Sequence, residues 1–233
     1  AFGRAILLSA VLALAGTNFG TGQVAIVAQL VVGAVYMPLP LVAALVTDRL
    51  AGRAPGRALV ARIRSPRPAR LVVVSAATIL LLGIVGLLTV VALGAIPGVG
   101  QLATSSTDVT ANLARALPDA PPPASVPPAP VLYGLMLLAG LVAGFTVNGL
   151  FAFGEEYGWR GVLTDLLAPL GETRSSILVG VLWGLWHAPL IVLGFNYGEY
   201  RLQGIALMCV WTVPLSFILA RARAWSGSVL APA

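Results

Sequence analysis

The chain has 233 residues, of which 58% are hydrophobic and 9% charged, with a mean hydropathy of +0.95. A soluble domain carries about 25% charged residues, so this composition excludes a soluble enzyme, a disordered tail and a nucleic-acid-binding module; it predicts an integral membrane protein in contact with a lipid bilayer. The net charge of +6 implies no nucleic acid partner, because all 14 basic residues are Arg and seven of them lie, with a single acid, between Asp48 and Arg70. Such a loop between apolar segments is an orientation signal for a bilayer.

A spanning helix needs about 20 mostly apolar residues. In chain order, a short first candidate runs from Ala5 to Gly16, and Asn18–Gly22 reads as a tight turn. A second span covers Val24–Val46, with Pro38 and Pro40 expected to kink or loosen its end. After the Arg-rich loop, Leu71–Ile96 is free of charge. Pro97–Pro130 reads as a loop with partial polyproline character. Further spans are expected at Val131–Phe153, Ser175–Gly194 and Leu202–Ala220, and Gly227–Ala233 reads as the opening of another. The expected fold class is therefore all-α: a polytopic transmembrane helical bundle of about six spans plus the start of a further one. Its parts are N-terminal transmembrane helices over 1–97 with the cytoplasmic Arg-rich loop at 48–70, a Pro-rich extracytoplasmic loop over 98–130, and a membrane core over 131–233. Arg placement puts the N-terminus and the segments bearing Arg160, Arg174, Arg221 and Arg223 on the cytoplasmic side of the cell (inner or plasma) membrane.

Charge at membrane depth costs roughly 2.5–3.5 kcal/mol on insertion scales, so ionisable groups near spans mark candidate chemistry. They collect in Phe151–Leu163. On a helix Glu156 and Arg160 are four apart with the acid N-terminal, the better orientation for an ion pair, while Glu155 lies about 100° round the helix and lacks that partner. A buried carboxylate without a cation suits a general acid or base; the alternative is a pair of solvated charges at a helix end. Gly154 is the expected bend point. His187 is the one histidine of the chain and lies twelve residues into the expected span from Ser175; there it needs a polar partner or a wet cavity, or it serves structurally, bonded to a carbonyl of another helix. Trp183, one turn earlier, is placed to stack on the imidazole, and Pro189 frees carbonyls of the preceding turn. Glu155 and His187 meeting in a pocket would supply a base for water and a donor for an oxyanion. Asn148 is a candidate border of that cavity, and Asn196 a turn residue. Tyr36, Trp211 and Trp225 read as packing or interfacial residues. With one His and one Cys, a three-ligand zinc site from this chain is not expected.

The strings Phe-Gly-Glu155-Glu156-Tyr-Gly-Trp-Arg160-Gly and Trp183-Gly-Leu-Trp186-His187-Ala-Pro189-Leu resemble the CPBP family, the CAAX proteases and bacteriocin-processing (Abi-type) enzymes related to the Ras-converting enzyme. The resemblance covers roughly Tyr133–Ala233. It implies an intramembrane endopeptidase in which Glu155 activates water, Glu156 and Arg160 form a supporting ion pair, and His187 polarises the carbonyl. Trp183 stands where the family more often has Phe. The resemblance leaves the cofactor open between none and a divalent metal such as zinc, for which Glu155 and His187 would be the ligands. It implies a membrane-associated peptide or lipidated protein as substrate. The family's third motif, a His followed by Asn or Asp four residues later, is expected to lie beyond Ala233. Competing readings are a non-catalytic immunity or partner-binding protein on the same scaffold, and a small transporter with Glu155 and His187 as a proton relay. The transporter lacks the expected paired discontinuous spans in repeated halves.

Overall fold

The computed structural model describes residues 1–17, 19, 30–94, 103–116 and 125–233. All regular structure among them is helical: α1 (Phe2–Leu14), a π-helical turn (Val32–Tyr36), α2 (Leu39–Leu50), α3 (Pro55–Ile63), α4 (Pro68–Gly94), α5 (Ser106–Ala116), α6 (Ala129–Gly144), α7 (Val147–Glu156), a second π-helical segment (Tyr157–Leu163), α8 (Thr164–Leu167), a 3₁₀ turn (Ala168–Leu170), α9 (Glu172–Trp186), α10 (Ala188–Ile191) and α11 (Arg201–Ser226). Three helical stretches are long and apolar enough to cross a membrane, Val32–Leu50, Pro68–Thr89 and Arg201–Ser226; they become four if Ala129–Gly144 and Val147–Leu170 form one broken span. The protein is an all-α membrane protein. Of the six expected spans, α1 is only 13 residues long, and the segment from Ser175 is interrupted at His187. The turn expected at 18–22 and the start of the second span at 24–29 lie outside the described residues, apart from Phe19; so do parts of the Pro-rich stretch, 97–102 and 117–124.

The chain forms two compact units, Ala1–Thr78 with Val147–Ala233, and Ile79–Thr146. In the second, Tyr133 donates its hydroxyl to the Ala103 carbonyl at 2.8 Å. The expected loop contains α5, started by a capping box: Ser105 Oγ accepts the Asp108 N–H at 3.1 Å, and Asp108 returns its carboxylate to the Ser105 N–H at 2.9 Å. Two orphan amides are thereby satisfied, which proline content alone does not reveal.

The first unit holds the candidate site. The regular α-helix is loosened before Pro38 and Pro40, by the π-helical turn Val32–Tyr36 and a turn at residues 37–38, yet the span continues: Pro38 caps α2, which runs on to Leu50. Proline is tolerated in a first helical turn, where its missing N–H has no acceptor to lose. The bend expected at Gly154 falls instead at Phe145 and Thr146, where Thr146 Oγ1 bonds back to the Val142 carbonyl at 2.8 Å. Gly154 serves a close approach, since a Cβ there would lie 2.8 Å from Pro38 Cα. Helices α9 and α11 pack face to face. A Cβ on Gly180 or Gly184 would meet Val213 Cα or Cys209 Cα within 2.7 Å, and Thr212 Oγ1 bonds the Gly180 carbonyl at 2.8 Å. This is the small-residue contact by which membrane helices associate.

A polar clasp ties α3 to the remainder of this unit. Asp48, fully buried, accepts Arg53 Nε and Arg62 Nη1, each at 2.8 Å, and the Tyr157 hydroxyl at 3.3 Å. Residues 227–233, expected to open a span, form turns after Gly227 takes φ 72°. They lie on the end of α3: the Val229 N–H donates to the Arg62 carbonyl at 3.0 Å, and Ser228 Oγ to the Ile63 carbonyl at 2.5 Å. The packing satisfies carbonyls that the last turn of a helix leaves without donor partners.

Candidate active site

Helix α7 passes into the π segment without a break, and this transition sets the spacing of the acidic pair. Gly158, within the π segment, backs onto Pro40 so tightly that no Cβ fits between them. A π-helical turn wedged in this way holds its side chains in one register. Glu155, Glu156 and Arg160 are all turned inward, with Arg160 wholly inaccessible.

Glu156 and Arg160 form the expected ion pair, Nη1 to Oε1 at 2.6 Å. The Arg160 guanidinium also donates from Nη2 to Ser216 Oγ at 3.1 Å and lies 4.1 Å above the Trp183 ring. Glu155 is held by a neutral donor: Trp183 Nε1–H donates to its Oε2 at 2.7 Å. The two adjacent carboxylates are therefore treated differently. One is matched to a cation, and the other meets a single indole N–H.

His187 lies where α9 ends, and α10 restarts at the next residue under the constraint of Pro189. It is not within a continuous span. Its Nδ1 is 2.8 Å from the Trp183 carbonyl. A carbonyl only accepts, so Nδ1 carries the proton and Nε2 faces away from the backbone. The imidazole packs against Trp186 at 5.0 Å and Trp183 at 6.0 Å between ring centroids. Trp183 thus holds Glu155 through its indole and His187 through its carbonyl. No hydrogen bond joins Glu155 to His187 directly; they converge on Trp183. Asn148 is exposed at the start of α7 and bonds to none of these residues. Asn196 takes φ 62°, as suits a turn residue.

Three contributions were not visible in the sequence pattern. Trp183 was read as a stacking residue, yet its N–H is the part that touches Glu155, a bond Phe cannot make. Ser216 sits on α11, 56 residues from the arginine it meets. Tyr36, read as packing, is fully buried and donates its hydroxyl to the Trp186 carbonyl at 2.5 Å. That carbonyl is free because the helix breaks at His187, so Pro189 was the available signal that some distant donor is needed. Among the described residues no three metal-ligating side chains cluster. Glu155 and His187 fall short of the three protein ligands a catalytic zinc site uses, and no step below runs through a metal.

Residues 129–233 match the family described as type II CAAX prenyl endopeptidase Rce1-like. The chain is also similar to CAAX prenyl protease 2 of Methanococcus maripaludis, 32% identical over 90 residues, covering 30% of this chain and 33% of that protein. The chain thus spans about a third of the length of this curated relative. No solved structure matches it. The match begins at the start of α6 and takes in both carboxylates, Arg160, Trp183 and His187. Residues 129–233 of this membrane protein are thus similar to the Rce1-like type II CAAX prenyl endopeptidases.

Proposed function

We propose that the protein is an intramembrane endopeptidase that hydrolyses a peptide bond in a membrane-associated, CAAX-like or otherwise lipidated peptide. The observation that carries this reading is the shared hold of Trp183 on Glu155 and His187. A general base must be fixed, and it must not be neutralised by a tight cation. Glu155 meets both conditions, because Arg160 is committed to Glu156.

In this reading Glu155 takes a proton from water as the water oxygen bonds to the scissile carbonyl carbon. His187 keeps Nδ1–H on the Trp183 carbonyl, which leaves Nε2 as an acceptor that orients the attacking water. Glu155 then passes its proton to the leaving nitrogen as the C–N bond breaks, giving a carboxylic acid and an amine. Glu156, Arg160 and Ser216 act through position: they hold the π segment against α9 and α11. In this reading the site opens to the cytoplasmic side of the cell membrane, the side to which the Arg-rich loop over 48–70 is assigned.

The test is cleavage of a lipidated fluorogenic peptide by the full chain in proteoliposomes. Glu155→Gln is expected to lower kcat by about 10²–10⁴-fold, the range for a lost general base, and His187→Gln by a comparable factor. Unchanged cleavage in both variants overturns the reading.

A further inference from the structure

Tyr36 lies outside the matched stretch of 129–233, in the π-helical turn Val32–Tyr36. We propose that it is a positioning residue for His187, acting through the main-chain carbonyl of Trp186. This inference rests on the endopeptidase reading above and deepens it.

The peptide unit between Trp186 and His187 is where the two residues meet. In a continuing α-helix the Trp186 carbonyl would accept the Leu190 N–H. Here the Leu190 N–H donates instead to the His187 carbonyl at 3.0 Å, as the Ile191 N–H does at 3.0 Å. The Trp186 carbonyl is thereby released at the turn that carries the histidine. Trp186 and Leu190 are both wholly inaccessible, so the released carbonyl needs a donor from within the protein. The Tyr36 hydroxyl takes the place of the missing amide, at 2.5 Å.

The opposite edge of the same peptide unit is held as well, with the His187 N–H donating to the Gly184 carbonyl at 3.1 Å. The imidazole Nδ1 then meets the Trp183 carbonyl at 2.8 Å. Three bonds therefore define where Nε2 stands, and Tyr36 supplies the one that comes from outside α9. Without its hydroxyl, the buried carbonyl regains a partner by turning back toward the Leu190 N–H. That turn tilts the peptide unit and draws the imidazole off the Trp183 carbonyl.

The footing of Tyr36 suits this role. Its ring packs on Trp186 at 4.4 Å between centroids, and Trp186 packs on the imidazole at 5.0 Å. A phenylalanine keeps both ring contacts, so Tyr36→Phe isolates the hydroxyl. The same π-helical turn also faces α7: a Cβ on Gly33 would lie 3.5 Å from the ring of Phe151, one helical turn before Glu155. One element thus touches the helix of the carboxylate and the helix of the histidine.

One arm of the test needs no activity. His187 is the one histidine of the chain, so isotopic nitrogen labelling of histidine reports a single ring in the full chain in micelles. Near neutral pH the wild type is expected to show one tautomer, protonated at Nδ1, and Tyr36→Phe a mixture of both. Below both unfolding midpoints, Tyr36→Phe is expected to lower kcat on the lipidated peptide about tenfold, the worth of one hydrogen bond, with KM nearly unchanged. Introduced into His187→Gln it should cost kcat nothing further, whereas a merely structural loss would be the same in both backgrounds. An unchanged tautomer or an unchanged kcat in Tyr36→Phe, or an equal loss with and without His187, overturns the proposal. If Glu155→Gln and His187→Gln cleave as the wild type does, the endopeptidase reading falls, and the tautomer signal alone decides whether Tyr36 positions the ring.

Discussion

Replacing Arg160 with Met tests whether the inner ion pair is a structural necessity. Arg160 is wholly buried, and its loss leaves Glu156, only 3% exposed, without a cation. The Glu156 Oε2 already lacks a partner, so no second bond compensates. Ser216 Oγ and the face of Trp183 lose their contacts in the same step. Removing one member of a buried pair costs about 3–5 kcal/mol, a large share of the roughly 5–15 kcal/mol that holds a typical domain. The folded-to-unfolded ratio should fall roughly 10²–10⁴-fold, read as a shift in the denaturant or thermal midpoint of the purified chain in micelles. The double variant Glu156→Leu/Arg160→Met removes both charges and should recover most of the loss, because apolar residues of similar volume replace buried pairs at little cost. A loss below about 1 kcal/mol in the single variant, or no recovery in the double one, refutes the reasoning.

Other outcomes follow from single contacts. Trp183→Phe keeps the ring beneath Arg160 but removes the donor to Glu155 Oε2, so kcat should fall about tenfold or more with little change in KM, measured on the lipidated peptide. Tyr36→Phe leaves the Trp186 carbonyl buried and unpaired and should cost about 1–3 kcal/mol in thermal melts while preserving the ring contact at 4.4 Å. An unchanged midpoint would mean that this carbonyl finds another donor. The N–H groups of Thr104 and Ser105, with the Ser105 hydroxyl, hold the Asp108 carboxyl below the usual carboxylate range. A depressed folded-state pKa gives stability that is present above the unfolded value and lost as pH falls through the folded one. Protection factors over 106–116, that is exchange rates corrected for the intrinsic pH dependence, should therefore fall as pH drops below the usual carboxylate range in the wild type, and show a smaller pH dependence in Asp108→Asn.

What the sequence made legible was local. The membrane character and the i,i+4 pairing of Glu156 with Arg160 follow from composition or from spacing along one helix, whereas the break at His187 falls inside what reads as one span over Ser175–Gly194. Span ends were less readable, because Pro38 and Gly154 were judged by their intrinsic tendencies. In the structure those residues meet each other, and each is suited to the close approach rather than to a kink. The site was half legible for the same reason. Glu155 and His187 announced themselves as polar groups in apolar surroundings, but their holding groups come from an indole N–H, a main-chain carbonyl and a tyrosine 150 residues from the carbonyl it meets. Such long-range partners leave no periodic trace.

The clasp at Asp48 has a consequence for the order in which the chain assembles. Asp48, Arg53 and Arg62 are made close together and can pair at once, but the Tyr157 hydroxyl and the 228–229 segment that complete the clasp follow much later in the chain. Helix α3 must therefore wait, with its terminal carbonyls unpaired, until Ser228 and Val229 arrive. The Arg-rich stretch thus becomes the seat on which the turns after Gly227 close, and this part of the fold locks only once they have been made.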